Sequence, residues 1–163
     1  EDMSIQPADI RQHLERVLRD EAQLLVELEQ LLQREADIVR GDDAGAIESI
    51  GGTRHRCIDQ LTRLDAERTA ACRMLSFGTG REGFEKLLSW CDPGRSLHAR
   101  WQENLRLARR CKDLNDRNGA VVALKLGQVQ RLLTTLRGGA AAPVYGRQGA
   151  RFDGFATRDL GQA

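Results

Sequence analysis

The residues of this chain that could catalyse a reaction or bind a metal are few and scattered. No histidine lies four residues from another, and no two cysteines form a C-x-x-C pair, so the usual spacings of metal ligands are missing. A nucleophile elbow is also missing, although a Ser-His-Asp triad could still assemble in space. We predict no catalytic residue, no metal and no cofactor, with exposed histidines and with cysteines that serve as small apolar residues on helix faces. These residues are His13, His55, His98, Cys57, Cys72, Cys91 and Cys111.

One segment, G-T-G-R-E-G at residues 78–83, matches the G-x-G-x-x-G pattern of dinucleotide-binding loops. That fingerprint needs a β-strand before it and a helix opening out of it. Here a long helical pattern precedes it, and no βαβ unit can be traced in the sequence. We therefore interpret residues 77–83 as a loop between helices, and we predict no small-molecule substrate.

Two asparagines, Asn115 and Asn118, fall at or beside the apolar face of the last predicted helix. A polar side chain on such a face fixes the alignment of packed helices at some cost in stability. Contact with a partner protein and simple exposure are the other two interpretations. The sequence favours alignment and leaves all three open.

The segment from residue 138 onward is rich in glycine and alanine and cannot form a packed core of its own. It nevertheless contains Tyr145, Phe152, Phe155 and Leu160. Large anchors spaced along a flexible chain suit folding onto a partner, although they could instead dock on the chain's own helices. The single Arg-Gly-Gly unit at 137–139 is too short to predict RNA binding.

Apolar residues recur at alternating steps of three and four through most of the chain, which predicts helices. The first helix begins at Pro7 and ends at Gly41, a span of about 33 residues or roughly 50 Å. Glu21 and Glu35 occupy two positions on its apolar face. The second begins near Asp43, antiparallel to the first because the connection is short.

Gly51 and Gly52 interrupt the apolar heptad repeat of the second helix, and we predict a locally weakened or kinked helix there. A short helix follows around residues 84–91. The last begins at an N-cap, Ser96, is loosened at Gly119 and stops at residues 137–139. The predicted fold is all-α: a mostly antiparallel bundle of three long helices and one short one over residues 1–139, with a flexible tail at 140–163 that orders on partner binding.

The balance of charge argues against a nucleic-acid or membrane-surface protein, since the formal net charge is +1. Residues 8–40 carry five arginines against eight acidic residues, whereas residues 95–137 carry ten basic residues against three acidic ones. Two helices of opposite sign could pack side by side, or the basic one could meet an acidic partner. No apolar run is long enough to cross a bilayer and no signal peptide opens the sequence, so we expect a cytoplasmic protein.

Several segments resemble the FlgN family of flagellar type III export chaperones. They are E-x-x-L-L-x-x-L-x-x-L-L-x-x-E at 21–35, G-D-D-A-G-A-I-E-S-I at 41–50, N-D-R-N-G-A-V-V-A-L at 115–124, and L-R-G-G with Y-G-R-Q-G at 136–149. The resemblance implies a small helical protein with a mobile C-terminal end. It also implies that the protein binds hook-associated proteins, which form the hook–filament junction, and brings them to the export apparatus at the membrane.

From these features we predict a partner-binding surface on the last helix and the tail. The competing hypothesis is a helical coiled-coil scaffold or adaptor with no role in secretion. We expect a monomer or a weak homodimer. The predicted partner-binding residues are Asn115, Asn118, Val122, Leu126, Val129, Leu133, Leu136, Tyr145, Phe152 and Phe155.

Overall fold

The computed structural model describes residues 4–41 and 43–136, and these form four helices. They are α1 (Pro7–Arg40), α2 (Ala44–Met74), α3 (Gly80–Cys91) and α4 (Ser96–Leu136). Neither of the two described segments contains a β-strand. The predicted all-α fold with three long helices and one short helix is confirmed. The predicted tail lies outside the described residues, so the division of the chain near residue 139 stays a prediction.

The connection between α1 and α2 is as short as the sequence predicts. Pro7 occupies the first turn of α1, where its missing N–H costs nothing. The N–H of Gly41 donates to the carbonyl of Ile38 and closes the helix. Two residues on, the Asp43 carboxylate accepts the N–H of Ala46 at 3.0 Å and caps α2. The chain therefore reverses within three residues, and α2 returns antiparallel to α1.

Neither predicted interruption breaks its helix. α2 runs unbroken through Gly51 and Gly52, and α4 runs unbroken through Gly119. Each glycine costs a helix about 1 kcal/mol relative to alanine, which packing of the neighbouring turns can offset. In α2 that packing comes from Ile50 and Cys57, which are buried on either side of the glycine pair.

The central element of the bundle is α1, which packs along α2 and along α4. The short α3 touches all three long helices. In the described part of the chain, by contrast, no Cα atom of α2 comes within 8 Å of one in α4. The helices α2 and α4 therefore flank α1, and α3 fills part of the space between them.

The apolar core is concentrated toward one end of the bundle. A first cluster joins α3 to the start of α1, the end of α2 and the start of α4, with Leu14, Leu88 and Trp101 fully enclosed. A second cluster lies midway and includes Leu28 and Leu61. We call the end that holds α3 the proximal end, and the end with the α1–α2 connection the distal end. Distal to the second cluster, the buried apolar side chains of the described residues are Val39 and Ile50.

Two helix starts differ from the sequence prediction. The segment predicted as a loop to residue 83 is already helical from Gly80. The last helix is capped by Asp92, whose carboxylate accepts the N–H groups of Leu97 at 2.8 Å and His98 at 3.4 Å. The predicted cap, Ser96, instead donates its hydroxyl to Asp92. Burial alone would raise the pKa of Asp92, but these donors and a nearby guanidinium hold it below its usual value.

Candidate partner-binding surface

The register of α4 on α1 is set by a repeating polar contact. Every seventh residue along part of α4 donates a hydrogen bond to a backbone carbonyl of α1, and the acceptors also advance by seven. Because donors and acceptors advance in the same direction, α4 runs parallel to α1. We call these three contacts the polar ladder. They are Asn104 to Leu18 at 2.9 Å, Cys111 to Leu25 at 3.4 Å and Asn118 to Leu32 at 2.8 Å.

The two predicted asparagines occupy different environments. Asn118 is buried, and its side-chain amide donates a hydrogen bond to another helix of the same chain, as the helix-alignment interpretation expects. Asn115 is half-buried, one turn earlier and toward the side of α2. Contact of either asparagine with a partner stays a prediction. Sequence reasoning missed Asn104, although its spacing of fourteen residues from Asn118, with Cys111 between them, was a usable signal.

A buried arginine on α2 joins all four helices at the proximal end. The Arg68 guanidinium lies 3.3 Å from the Glu21 carboxylate of α1 and 2.8 Å from Asp65. Its carbon Cζ sits 4.5 Å from the ring centre of Trp101 in α4 and 5.4 Å from that of Phe84 in α3. Cation–π contact and the ion pairs compensate the desolvation of the buried charge. This cluster is structural, since its groups are engaged with one another.

A second buried carboxylate repeats the arrangement nearer the distal end. Glu35 on α1 is paired with Arg54 on α2, just as Glu21 is paired with Arg68. The two acidic residues are two heptads apart, and so are the two arginines, which run in the opposite order. The pairs therefore specify the antiparallel register of α1 and α2. Sequence analysis placed the two glutamates on the apolar face, but nothing local identified their partners.

The remaining predicted surface residues are only partly described. Backbone helix continues to Leu136, but the side chains of residues 122–126 and 128–136 lie outside the description. For five predicted partner-binding residues, therefore, only the helical backbone position is described. They are Val122, Leu126, Val129, Leu133 and Leu136. Tyr145, Phe152 and Phe155 lie outside the described residues altogether. The last described side chain before this stretch, Val121, is 39% exposed.

The register of the polar ladder determines how far α4 extends. Contacts between residues 104 and 18, 111 and 25, and 118 and 32 keep one constant offset. The same offset brings residue 126 level with the last residue of α1, Arg40. The final ten residues of α4 then continue past α1 by about 15 Å. This arrangement gives α4 a helical extension that α1 does not cover.

The described residues bring no set of metal ligands together. No group of three His, Cys, Asp or Glu among them could hold a metal ion. Burial, followed by a nearby glutamate, raises the pKa of Cys57 to about 11 and that of Cys111 to about 12, so both thiols stay protonated at neutral pH. The cleft between α2 and α3 has a volume of about 20 Å³, enough for one water molecule.

None of the described helices is both long enough and apolar enough to cross a bilayer. The four cysteines are all free and buried, which agrees with their prediction as small apolar residues on helix faces. The G-x-G-x-x-G match follows helix α2 rather than a strand, which removes the context of a dinucleotide site.

Comparison with known proteins identifies the family. The model of the FlgN protein family matches residues 3–151, which is most of the chain. Neither the curated proteins nor the solved structures yield a match. FlgN proteins are chaperones of flagellum assembly rather than enzymes. The matched range includes the four helices and the sequence segments that resemble the FlgN family. The chain therefore belongs to the FlgN family of flagellar export chaperones.

Proposed function

We propose that this protein is a cytoplasmic chaperone that binds hook-associated proteins, prevents their premature assembly or aggregation, and delivers them to the export apparatus at the membrane. Membership of the FlgN family supports the general function. The extension of α4 past the end of α1 is the observation that supports placing the client-binding surface on α4. A helix that its own bundle leaves uncovered offers a face for another amphipathic helix.

In the proposed mechanism, a terminal segment of the client lies along the apolar side of the α4 extension. Aromatic residues of the tail then close over it, so that binding and ordering of the tail occur together. Ordering a flexible segment costs a few kcal/mol, which keeps affinity moderate and permits release at the membrane. The client-facing positions are Val122, Leu126, Val129, Leu133 and Leu136, and the closing residues are Tyr145, Phe152 and Phe155.

Titration with a labelled peptide from the terminus of a hook-associated protein tests this mechanism. We expect the triple substitution Tyr145→Ser, Phe152→Ser and Phe155→Ser to weaken binding by about tenfold or more, because three anchors are removed. Truncation after Gly139 should weaken it as much. The matched control replaces Arg147, Arg151 and Arg158 in the same segment by serine and should leave affinity nearly unchanged. Equal affinity of the full-length and truncated proteins would refute the role of the tail.

Sedimentation measurements distinguish the chaperone from a self-associating coiled-coil adaptor. We expect a monomer or a weak homodimer alone, and a complex of larger mass with the client. A stable dimer that recruits no hook-associated protein would favour the adaptor instead.

A further inference from the structure

Among the described helices, the short α3 lies between α2 and α4 at the proximal end of the bundle only. Helices α2 and α4 both pack on α1, but in the described residues no Cα atom of α2 comes within 8 Å of one in α4, and Arg68 reaches Trp101 across the gap only near α3. The twelve-residue α3 closes the gap between them at one end by burying Phe84, Leu87, Leu88 and Cys91. No described element closes it further along. The distal part of this gap, which we call the α2/α4 groove, therefore continues the space that α3 occupies, and no described element covers it.

On α4, the face that α3 covers continues directly into the groove. Trp101, Leu105 and Ala108 are each at most 4% exposed, and the first of them packs edge-on against Phe84 of α3 at 4.7 Å. Steps of three and four along the helix keep the same face. Past the end of α3 this face is no longer buried. Its next described residues are Lys112 and Asn115, both half-buried, and Gly119, which is exposed.

On α2, the corresponding face behaves in the same way. Thr69 and Cys72 line the cleft against α3. Toward the distal end, the same face presents Ile58, Gly51 and Ile47, all of them half-buried. A side chain added at Gly51 or at Gly119 would meet no atom within 4 Å. Each wall of the groove thus carries a glycine beside open space.

We infer that the α2/α4 groove binds an amphipathic helix of the exported client, which lies end to end with α3 as the distal half of a fourth helix. This inference rests on the proposed function and adds α2 to the client-binding surface. The occupant would span about 14 residues, the length of α4 from residue 112 to 126. α3 shows what the gap accepts: a helix with apolar residues at i, i+3, i+4 and i+7. Large apolar side chains of the client would sit opposite the two glycines.

Two other occupants fit the groove less well. A second copy that docked through the same groove would present the same glycines and asparagine, which supply few apolar side chains to bury. The segment 137–163 contains six glycines and a proline, which disfavour a helix of four turns. A client helix rich in leucine or isoleucine lacks both drawbacks.

The decisive variant is Gly51→Leu, which places a large side chain in the groove from the α2 side and leaves the sequence of α4 unchanged. Gly52→Leu is its matched control, because it makes the same change in the same helix but points about 100° away, on the side remote from α4. We expect Gly51→Leu to weaken binding of a labelled terminal peptide from a hook-associated protein by about tenfold, and Gly52→Leu to leave it within about twofold. Circular dichroism should show both variants fully helical.

The opposite wall gives a second pair, Gly119→Leu with Ala120→Leu as its control, and the same pattern is expected. If wild-type protein binds the peptide and Gly51→Leu binds it equally well, α2 takes no part and the inference fails while the proposed function stands. If wild-type protein binds no terminal peptide, the proposed function itself fails. A wild-type dimer that Gly51→Leu converts to monomer would assign the groove to a second copy and overturn the inference.

Discussion

At the scale of single residues, two helical glycines, Gly83 and Gly119, differ in whether their surroundings leave room for a side chain. Gly83, in the first turns of α3, faces the end of the α2–α3 connection. A Cβ atom there would lie 2.7 Å from the carbonyl carbon of Gly78 and 3.1 Å from the oxygen of Phe77. Both are backbone atoms that cannot rotate away. Gly119 in α4 has open space around it, so its missing side chain serves no packing need within the described chain.

Gly83→Ala should therefore destabilise the protein even though alanine favours helices. We expect a loss of about 1–3 kcal/mol in the free energy of unfolding, because the connection must shift to admit one methyl group. The matched control Gly119→Ala should stabilise by up to about 1 kcal/mol. Urea unfolding followed by circular dichroism measures both. A stabilising effect of Gly83→Ala would show that the connection is not packed on α3 as described.

What could be predicted at this scale depended on how local the cause is. Pro7 and Gly41 predict the two ends of α1 correctly because their effects on the backbone act within one turn. The cap of α4 was assigned to Ser96 rather than Asp92 because only the folded turn brings the carboxylate over two amides. The role of Arg68 could not be predicted, since all its partners except Asp65 lie in three other helices.

At the scale of helices, two different sets of polar contacts specify how the elements align. The glutamate–arginine pairs fix α2 antiparallel to α1, and the polar ladder fixes α4 parallel to it. Periodicity predicted the helices and their apolar faces, because burial demands a repeat of 3.6 residues. It could not predict which heptad of α4 meets which heptad of α1, since leucines at sevens fit several registers equally well.

The two ladder asparagines should differ in their effect on stability. Asn118 contacts one carbonyl, whereas Asn104 also donates to the buried Glu21 carboxylate at 3.3 Å. Asn104→Leu leaves that carboxylate with one donor fewer, so we expect a loss of about 1–3 kcal/mol. In Asn118→Leu, added apolar burial should offset the lost hydrogen bond to within about 1 kcal/mol. Equal losses in urea unfolding would contradict this account of the ladder.

At the scale of the whole molecule, stability is distributed unevenly along the bundle. The proximal end contains α3, an enclosed tryptophan and the four-helix contacts of Arg68. The distal end contains few buried apolar side chains among the described residues, and its buried contacts include the polar pair of Glu35 and Arg54. Packing therefore weakens toward the end where α4 extends past α1. In the proposed mechanism, the client supplies the missing packing at this end without unfolding the rest.

Hydrogen exchange can measure this gradient directly. In the free protein we expect amides in residues 46–54 of α2 and 112–121 of α4 to exchange faster than those in 57–72 and 97–111. The slower segments belong to the two apolar clusters, so their amides open only when much of the bundle unfolds. The faster segments border the α2/α4 groove, and apart from the buried Ile50 and Asn118 their residues are half-buried or exposed.

Adding a terminal peptide of a hook-associated protein should then slow exchange mainly in the two fast segments. Protection of α4 alone would fit a client that binds the extension without touching α2. Protection of both walls would fit an occupant between them, since no Cα atom of α2 lies within 8 Å of one in α4 in the described chain, and the contact of Arg68 with Trp101 is at the proximal end. Uniform slowing over all four helices would instead indicate general stabilisation by mass action, and no localised binding surface could be drawn from it. The pattern across α2 therefore decides whether the client completes the bundle or only lies against its longest helix.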